Sequence, residues 1–92
     1  MMADRLHLMI KGDVQGVFFR DFVKKQSKFL NLKGWVRNTP EGNVEVVAEG
    51  GRENLLRLSE KCIRGPIIAK VEKIDLQWEN PTGAFNDFEI RY

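Results

Sequence analysis

Cysteine and histidine each occur once in this chain, as Cys62 and His7. A single cysteine excludes an intramolecular disulfide framework, and a cysteine-based metal site needs more thiolates than the chain owns. Cys62 reads as a small core residue on a helix face, and His7 as an exposed residue on a sheet face rather than a ligand. Long apolar runs are missing too. None approaches the length of a membrane span, and the opening "MMADRLHLMI" lacks the apolar core of a signal peptide. The surplus of positive charge is only +2 in 92 residues, which argues against nucleic-acid binding by bulk charge. No repeat, linker or low-complexity segment is visible. These absences lead to the expectation of a cytoplasmic, single-domain protein over residues 1–92. It is expected to be monomeric, with no membrane or nucleic-acid partner. Hydrophobic residues at 42% and charged residues at 30% are an ordinary folded mix. A chain of this size buries one modest core and has little room for separate cofactor and substrate domains.

Apolar spacing supplies the elements. In "LHLMIK" (Leu6–Lys11), Leu6, Leu8 and Ile10 share one strand face, and His7, Met9 and Lys11 the other. Phe19, Phe22, Val23, Gln26, Phe29 and Leu30 then fall at helical spacing, with Lys24, Lys25 and Lys28 as a solvated face. Asn31 suits a left-handed cap. "KGWVRN" (Lys33–Asn38) is a second strand, "TPEG" (Thr39–Gly42) a turn and "NVEVVAEG" (Asn43–Gly50) a third strand, so that the two strands form a hairpin. Arg52–Gly65 is a second helix, with Leu55, Leu58, Ser59 and Cys62 as its stripe and Leu56 and Ile63 widening it. Gly65-Pro66 stops it. Lys70–Trp78 reads as a fourth strand in which Val71 is out of phase with Ile74, Leu76 and Trp78, the mark of a bulge or a late start. "NPTG" (Asn80–Gly83) is a loop, and Phe88, Ile90 and Tyr92 close the chain in strand phase. The order β-α-β-β-α-β, plus a short last strand, predicts an α+β ferredoxin-like sandwich. Its sheet is expected to be antiparallel, in the order 4-1-3-2, with both helices on one face.

That topology gives places to particular residues. Strands one and two, joined by a helix crossover, run parallel with strand three between them. Their carboxyl ends share one sheet edge, about 10 Å apart at two strand spacings. "KGDVQGVFFR" (Lys11–Arg20) leaves the first of these ends, and Asn38 closes the second on the helix side. A glycine-bearing loop that turns into a helix exposes backbone N–H groups at a helix N-terminus, where the dipoles favour an anion. Gly12 and Gly16 can adopt conformations closed to other residues and let a ligand approach the backbone. Arg20 adds a charged fork that matches phosphate or carboxylate. The residues thus point to an oxyanion cradle of loop amides and Arg20, faced by the Asn38 amide. The loop is neither a Walker loop nor a dinucleotide fingerprint.

"GDVQGVFFR" (Gly12–Arg20) followed by "GWVRNTPEGNVEVVAEG" (Gly34–Gly50) closely resembles the acylphosphatase family. Its signatures run roughly Gly-x-Val-Gln-Gly-Val-x-Phe-Arg and Gly-Trp-Val-Arg-Asn. "RGP" (Arg64–Pro66) and the ending "FEIRY" look like the family as well. The resemblance implies hydrolysis of the carboxyl–phosphate bond of small acyl phosphates, with no metal or other cofactor, in the ferredoxin-like fold. It implies that Arg20 grips the phosphoryl group and that Asn38 positions the attacking water. By the same resemblance, backbone amides of Gln15, Gly16, Val17, Phe18 and Phe19 form the cradle. Three residues depart from the common pattern: Asp13 stands where a basic residue is frequent, Asn31 where glycine is usual, and Ser27 where alanine is common. None of them removes a catalytic group.

No cysteine, histidine or paired carboxylate falls in the expected site, so a phosphoenzyme route lacks a nucleophile and direct attack by water fits better. Two other readings compete. One is an accessory domain that binds anions without turnover. The other is an RNA-binding module of the same fold, which carries aromatics on its central strands; here the third strand has no aromatic and two glutamates. Phe18, Phe19, Phe22 and Phe29 read as core or pocket wall instead of base-stacking platforms.

Overall fold

The structure, a computed structural model, describes residues 3–92. The elements follow the apolar spacing: β1 Asp4–Asp13, α1 Phe19–Phe29, β2 Lys33–Asn38, β3 Val44–Gly50, α2 Arg52–Arg64, β4 Lys70–Glu79 and β5 Phe88–Arg91. The sheet order is β4-β1-β3-β2-β5. The first four strands are antiparallel neighbours in the expected order. The fifth corrects the expectation of a purely antiparallel sheet, because β5 pairs with β2 in parallel. The cause is where the chain crosses. β4 ends beside the start of β1, with Glu79 opposite Arg5. The chain then passes to the far edge of the sheet and re-enters with Phe88 opposite Gly34. A strand that enters there must run in the direction of β1 and β2.

The crossing segment, residues 80–87, is a strap held at its midpoint. Glu49 on the central strand β3 accepts hydrogen bonds from the Thr82 and Gly83 N–H groups, each at 2.9 Å, and from the Thr82 hydroxyl at 3.1 Å. Arg5 pairs with the same carboxylate at 3.1 Å, and its guanidinium carbon lies 5.6 Å from the Phe85 ring centre. Burial alone would raise the Glu49 pKa, but these donors outweigh it and hold the carboxyl below its ordinary value.

Both helices cover one sheet face. Leu6, Leu8 and Ile10 of β1, Val44, Val46 and Ala48 of β3, and Val36 of β2 are buried beneath Phe19 and Val23 of α1 and Leu55, Leu58 and Cys62 of α2. Each large side chain so buried contributes about 1.5–3 kcal/mol. The helix stripes are narrower than the sequence suggests. The inward line of α1 is Phe19, Val23 and Ser27, continued by Leu30. Phe29 is turned roughly 80° from Phe19 on a helix of 3.6 residues per turn and stays 80% exposed. Leu56 and Ile63 sit to the side of the α2 stripe and are exposed for the same reason.

Val71 is out of phase because of a bulge: Lys11 faces Lys73 while Gly12 faces Val71, leaving Glu72 as the extra residue of β4. Gly12 has φ +134°, and a Cβ there would stand 2.2 Å from the Lys70 carbonyl oxygen. Its lack of a side chain therefore serves the approach of β4 to β1 and not a ligand. Asn31, at φ +56°, adopts the left-handed conformation expected of it.

Candidate functional site at the sheet edge

β1 and β2 end at the same edge, as their parallel course requires. Between them lies a cleft of about 230 Å³ lined by Val14, Gly16, Phe18, Phe19, Arg20, Asp21 and Asn38. Arg20, Asn38 and the glycine loop are thus brought together. Gln15 and Val17 are not among the lining residues. Val17 packs against the core, and the Gln15 amide is bonded to the β2–β3 turn. Asp13, at the end of β1, is exposed and is not one of the lining residues. A larger groove of about 380 Å³ runs between Phe29 of α1 and Arg57, Lys61 and Arg64 of α2. It contains neither Arg20 nor Asn38, so the chemistry-bearing groups converge only at the smaller cleft.

The loop is built to leave its donors free. The first three N–H groups of α1 have no carbonyl within the helix to bond, and Phe18, the residue before it, makes no side-chain cap. The first helical bond of this turn runs from the Phe22 N–H to the Phe18 carbonyl at 3.1 Å. Among the described residues, no backbone N–H from Gln15 to Asp21 donates a hydrogen bond to another group of the chain. These unpaired donors, together with the helix dipole, make the loop attractive to an anion. Gly16 adopts φ +74° with open space where a Cβ would stand, so a ligand can approach its backbone closely. Phe18 also lies in the left-handed region, at φ 61° and ψ 25°. That costs a non-glycine residue roughly 1–2 kcal/mol. The ring is 73% exposed, so little core packing compensates, and it stands as one wall of the cleft. Phe19 is buried, with the Phe22 ring edge-on at 5.9 Å. Of the four phenylalanines expected in core or wall, Phe29 is in neither the core nor this cleft.

Arg20 occupies the first turn of α1 and is half-buried. It makes no ion pair with a carboxylate among the described residues. Its guanidinium carbon instead lies 4.9 Å from the Tyr92 ring centre, a cation–π contact that orients the fork without neutralising its charge. Tyr92 is the residue of this region that sequence reasoning missed. Its strand phase suggested another inward side chain, and only the parallel docking of β5 brings it to this edge. Asn38 is the last ladder residue of β2, opposite Val44, and is half-buried at the cleft.

Other reactive groups lie elsewhere. Cys62 is fully buried, and its thiol is pushed up to about 12 by that burial. On the sheet face away from the helices, Glu45 joins His7 at 2.7 Å to Arg37. Burial works to raise its pKa, but the bonds from His7 and Arg37 prevail and hold it low. Trp35 of β2 lies on the same face, with the Arg91 guanidinium carbon 4.8 Å from its ring. Among the described residues no helix is long and apolar enough to cross a membrane.

A family model described as acylphosphatase matches residues 6–90. The acylphosphatase of Syntrophus aciditrophicus is 45% identical over 91 residues, covering 99% of this chain and 95% of that one. That of Pyrobaculum aerophilum is 46% identical over 91 residues, covering 98% and 96%. The solved acylphosphatase from Bacillus subtilis superposes with a TM-score of 0.93 at 33% identity, over 99% of this chain and 100% of the other. Both signature stretches, Gly12–Arg20 and Gly34–Asn38, meet at one cleft within a match that runs nearly end to end, and the chain belongs to the acylphosphatase family.

Proposed function

We propose that the chain hydrolyses the carboxyl–phosphate bond of small acyl phosphates, by direct attack of water on phosphorus. The observation that carries this reading is the convergence on one cleft of loop N–H groups and a guanidinium that find no partner and no carboxylate, respectively, among the described residues, and a side-chain amide. The amides of Gln15 to Phe19 and the Arg20 fork bind the phosphoryl oxygens. Phosphoryl transfer passes through a loose transition state, so positioning and charge stabilisation supply most of the catalysis. Positive charge here comes from Arg20 and the helix N-terminus, and the reading calls for no metal ion.

Asn38 takes up no proton near neutral pH. Its carbonyl oxygen accepts a hydrogen bond from water and holds that water in line with the breaking bond. The water oxygen bonds to phosphorus as the P–O bond to the acyl group breaks. The carboxylate leaves with the bonding pair, and a phosphate oxygen or the leaving group collects the water proton. A carboxylic acid has a pKa of about 4 to 5, so the group departs without a general acid. The same reading takes residues 1–92 as one cytoplasmic, monomeric domain that binds no nucleic acid. The acidic third strand supports the last point, since Glu45 and Glu49 occupy the face where an RNA-binding module of this fold would stack bases.

Hydrolysis of benzoyl phosphate in the presence of a chelator tests the reading. Wild-type protein turns over. Asn38→Ala loses kcat far more than KM, whereas Arg20→Ala damages both, by on the order of a hundred-fold or more in kcat. A folded wild type that binds phosphate without turnover identifies an anion-binding accessory domain instead. Equal loss of affinity in both variants overturns the division of roles.

A further inference from the structure

β1 and β2 do not touch, because β3 lies between them. The loop that leaves β1 and the turn that leaves β2 share no ladder of their own. One side chain joins them. From its Nε2, Gln15 donates one hydrogen to the Thr39 carbonyl and the other to the Asn43 carbonyl, each at 2.8 Å. These carbonyls stand at the two ends of the hairpin turn. The Thr39 N–H reaches the Asn43 carbonyl at 2.9 Å, and the Asn43 N–H reaches Thr39 Oγ1 at 3.1 Å. Thr39 follows Asn38 directly, and Asn43 precedes Val44, the ladder partner of Asn38. Among the described residues no other hydrogen bond links the 14–18 loop to the 39–43 turn.

We infer that Gln15 is a positioning residue, whose side chain holds Asn38 at its working distance from the loop amides and Arg20. The inference rests on the reading of Asn38 as the group that orients water, and it extends that reading to a side chain outside the cleft. Both acceptors are carbonyl oxygens, so the bridge needs two hydrogens carried on one atom at that place, which a primary amide supplies. The bridge is part-buried, and each carbonyl keeps a donor within the turn, Asn43 from the Thr39 N–H at 2.9 Å and Thr39 from the Gly42 N–H at 3.1 Å. Losing the bridge therefore removes the tie between loop and turn and leaves the turn itself bonded. Without it the turn is placed by the hairpin alone. A misplacement of about 1 Å in a positioning group costs on the order of a hundred-fold in rate.

The test is steady-state hydrolysis of benzoyl phosphate by Gln15→Ala, Asn38→Ala, the double variant and Gln15→Glu. Inorganic phosphate serves as a competing inhibitor that reads cradle affinity. Gln15→Ala is expected to lower kcat about ten- to a hundred-fold and to leave phosphate inhibition within about two-fold of wild type. The double variant is expected to be no slower than Asn38→Ala, since both changes remove one function. In Gln15→Glu the ionised carboxylate opposes two carbonyls, whereas its protonated form donates one O–H. The kcat of this variant relative to wild type therefore rises as pH falls from 7 towards 4. An unchanged kcat in Gln15→Ala overturns the inference, as does an equal loss of phosphate affinity, an additive loss in the double variant, or a flat pH ratio. If Asn38→Ala itself keeps full kcat, the reading of Asn38 has failed and the inference falls with it. A crippled Asn38→Ala beside a normal Gln15→Ala overturns the inference alone. Should Gln15→Ala not fold by circular dichroism, the pH response of folded Gln15→Glu decides.

Discussion

Ser27 is fully buried in the middle of α1, and its hydroxyl oxygen has no hydrogen-bond partner among the described residues. A buried hydroxyl without a partner costs about 1–3 kcal/mol, and alanine is also the better helix former. Ser27→Ala is expected to raise stability by about 1–2 kcal/mol, read as a higher urea midpoint at unchanged slope. A lower midpoint would show that the hydroxyl is satisfied in solution. The resemblance to the family marks Ser27 as a departure from alanine, but its burial appears only when α1 is docked. Arg20 and Asn38 were more legible, because strand phase and parallel β1 and β2 already send both to one edge. Tyr92 was not. Alternation tells which face of its own strand a side chain takes, and says nothing about which neighbour the strand adopts. The direction of the Gln15 side chain was equally hidden, since its partners are backbone carbonyls, which carry no residue signature.

Among the elements, the strap of residues 80–87 depends on one carboxylate. Glu49 carries three hydrogen bonds from the strap and one ion pair with Arg5. Because the folded pKa lies below the ordinary value of 4.5, the stabilisation is complete above that value. It is lost as pH falls through the lowered folded value. Glu49→Gln is therefore expected to reduce the urea midpoint clearly at pH 7 and much less at pH 3. Equal losses at both pH values would mean that shape, not charge, holds the strap. Glu45 is held low by His7 and Arg37, and its contribution fades in the same direction, so wild-type protein also loses stability on acidification. The sequence marked this segment as a loop through its "NPTG" stretch, yet nothing local announced that it crosses the whole sheet. The reach is modest: four strand spacings are about 19 Å, and eight residues extend to roughly 26–29 Å.

At the scale of the whole molecule, the order 4-1-3-2 was readable because hairpin and crossover connections constrain handedness and neighbours. The parallel fifth strand was not, because a short segment after a long connection can join either edge. Its arrival reaches the rim of the cleft, since β5 delivers Tyr92 to Arg20 while Arg91 settles over Trp35. Pairings so distant along the chain form slowly. The indole of Trp35 is consequently an optical gauge of strand closure, placed on the strand whose last residue, Asn38, lines the cleft. In a Trp78→Phe variant refolding from urea, emission from Trp35 and phosphatase activity are expected to return with a single rate constant. Activity that returns ahead of the emission would mean that the cleft works before the last strand has closed.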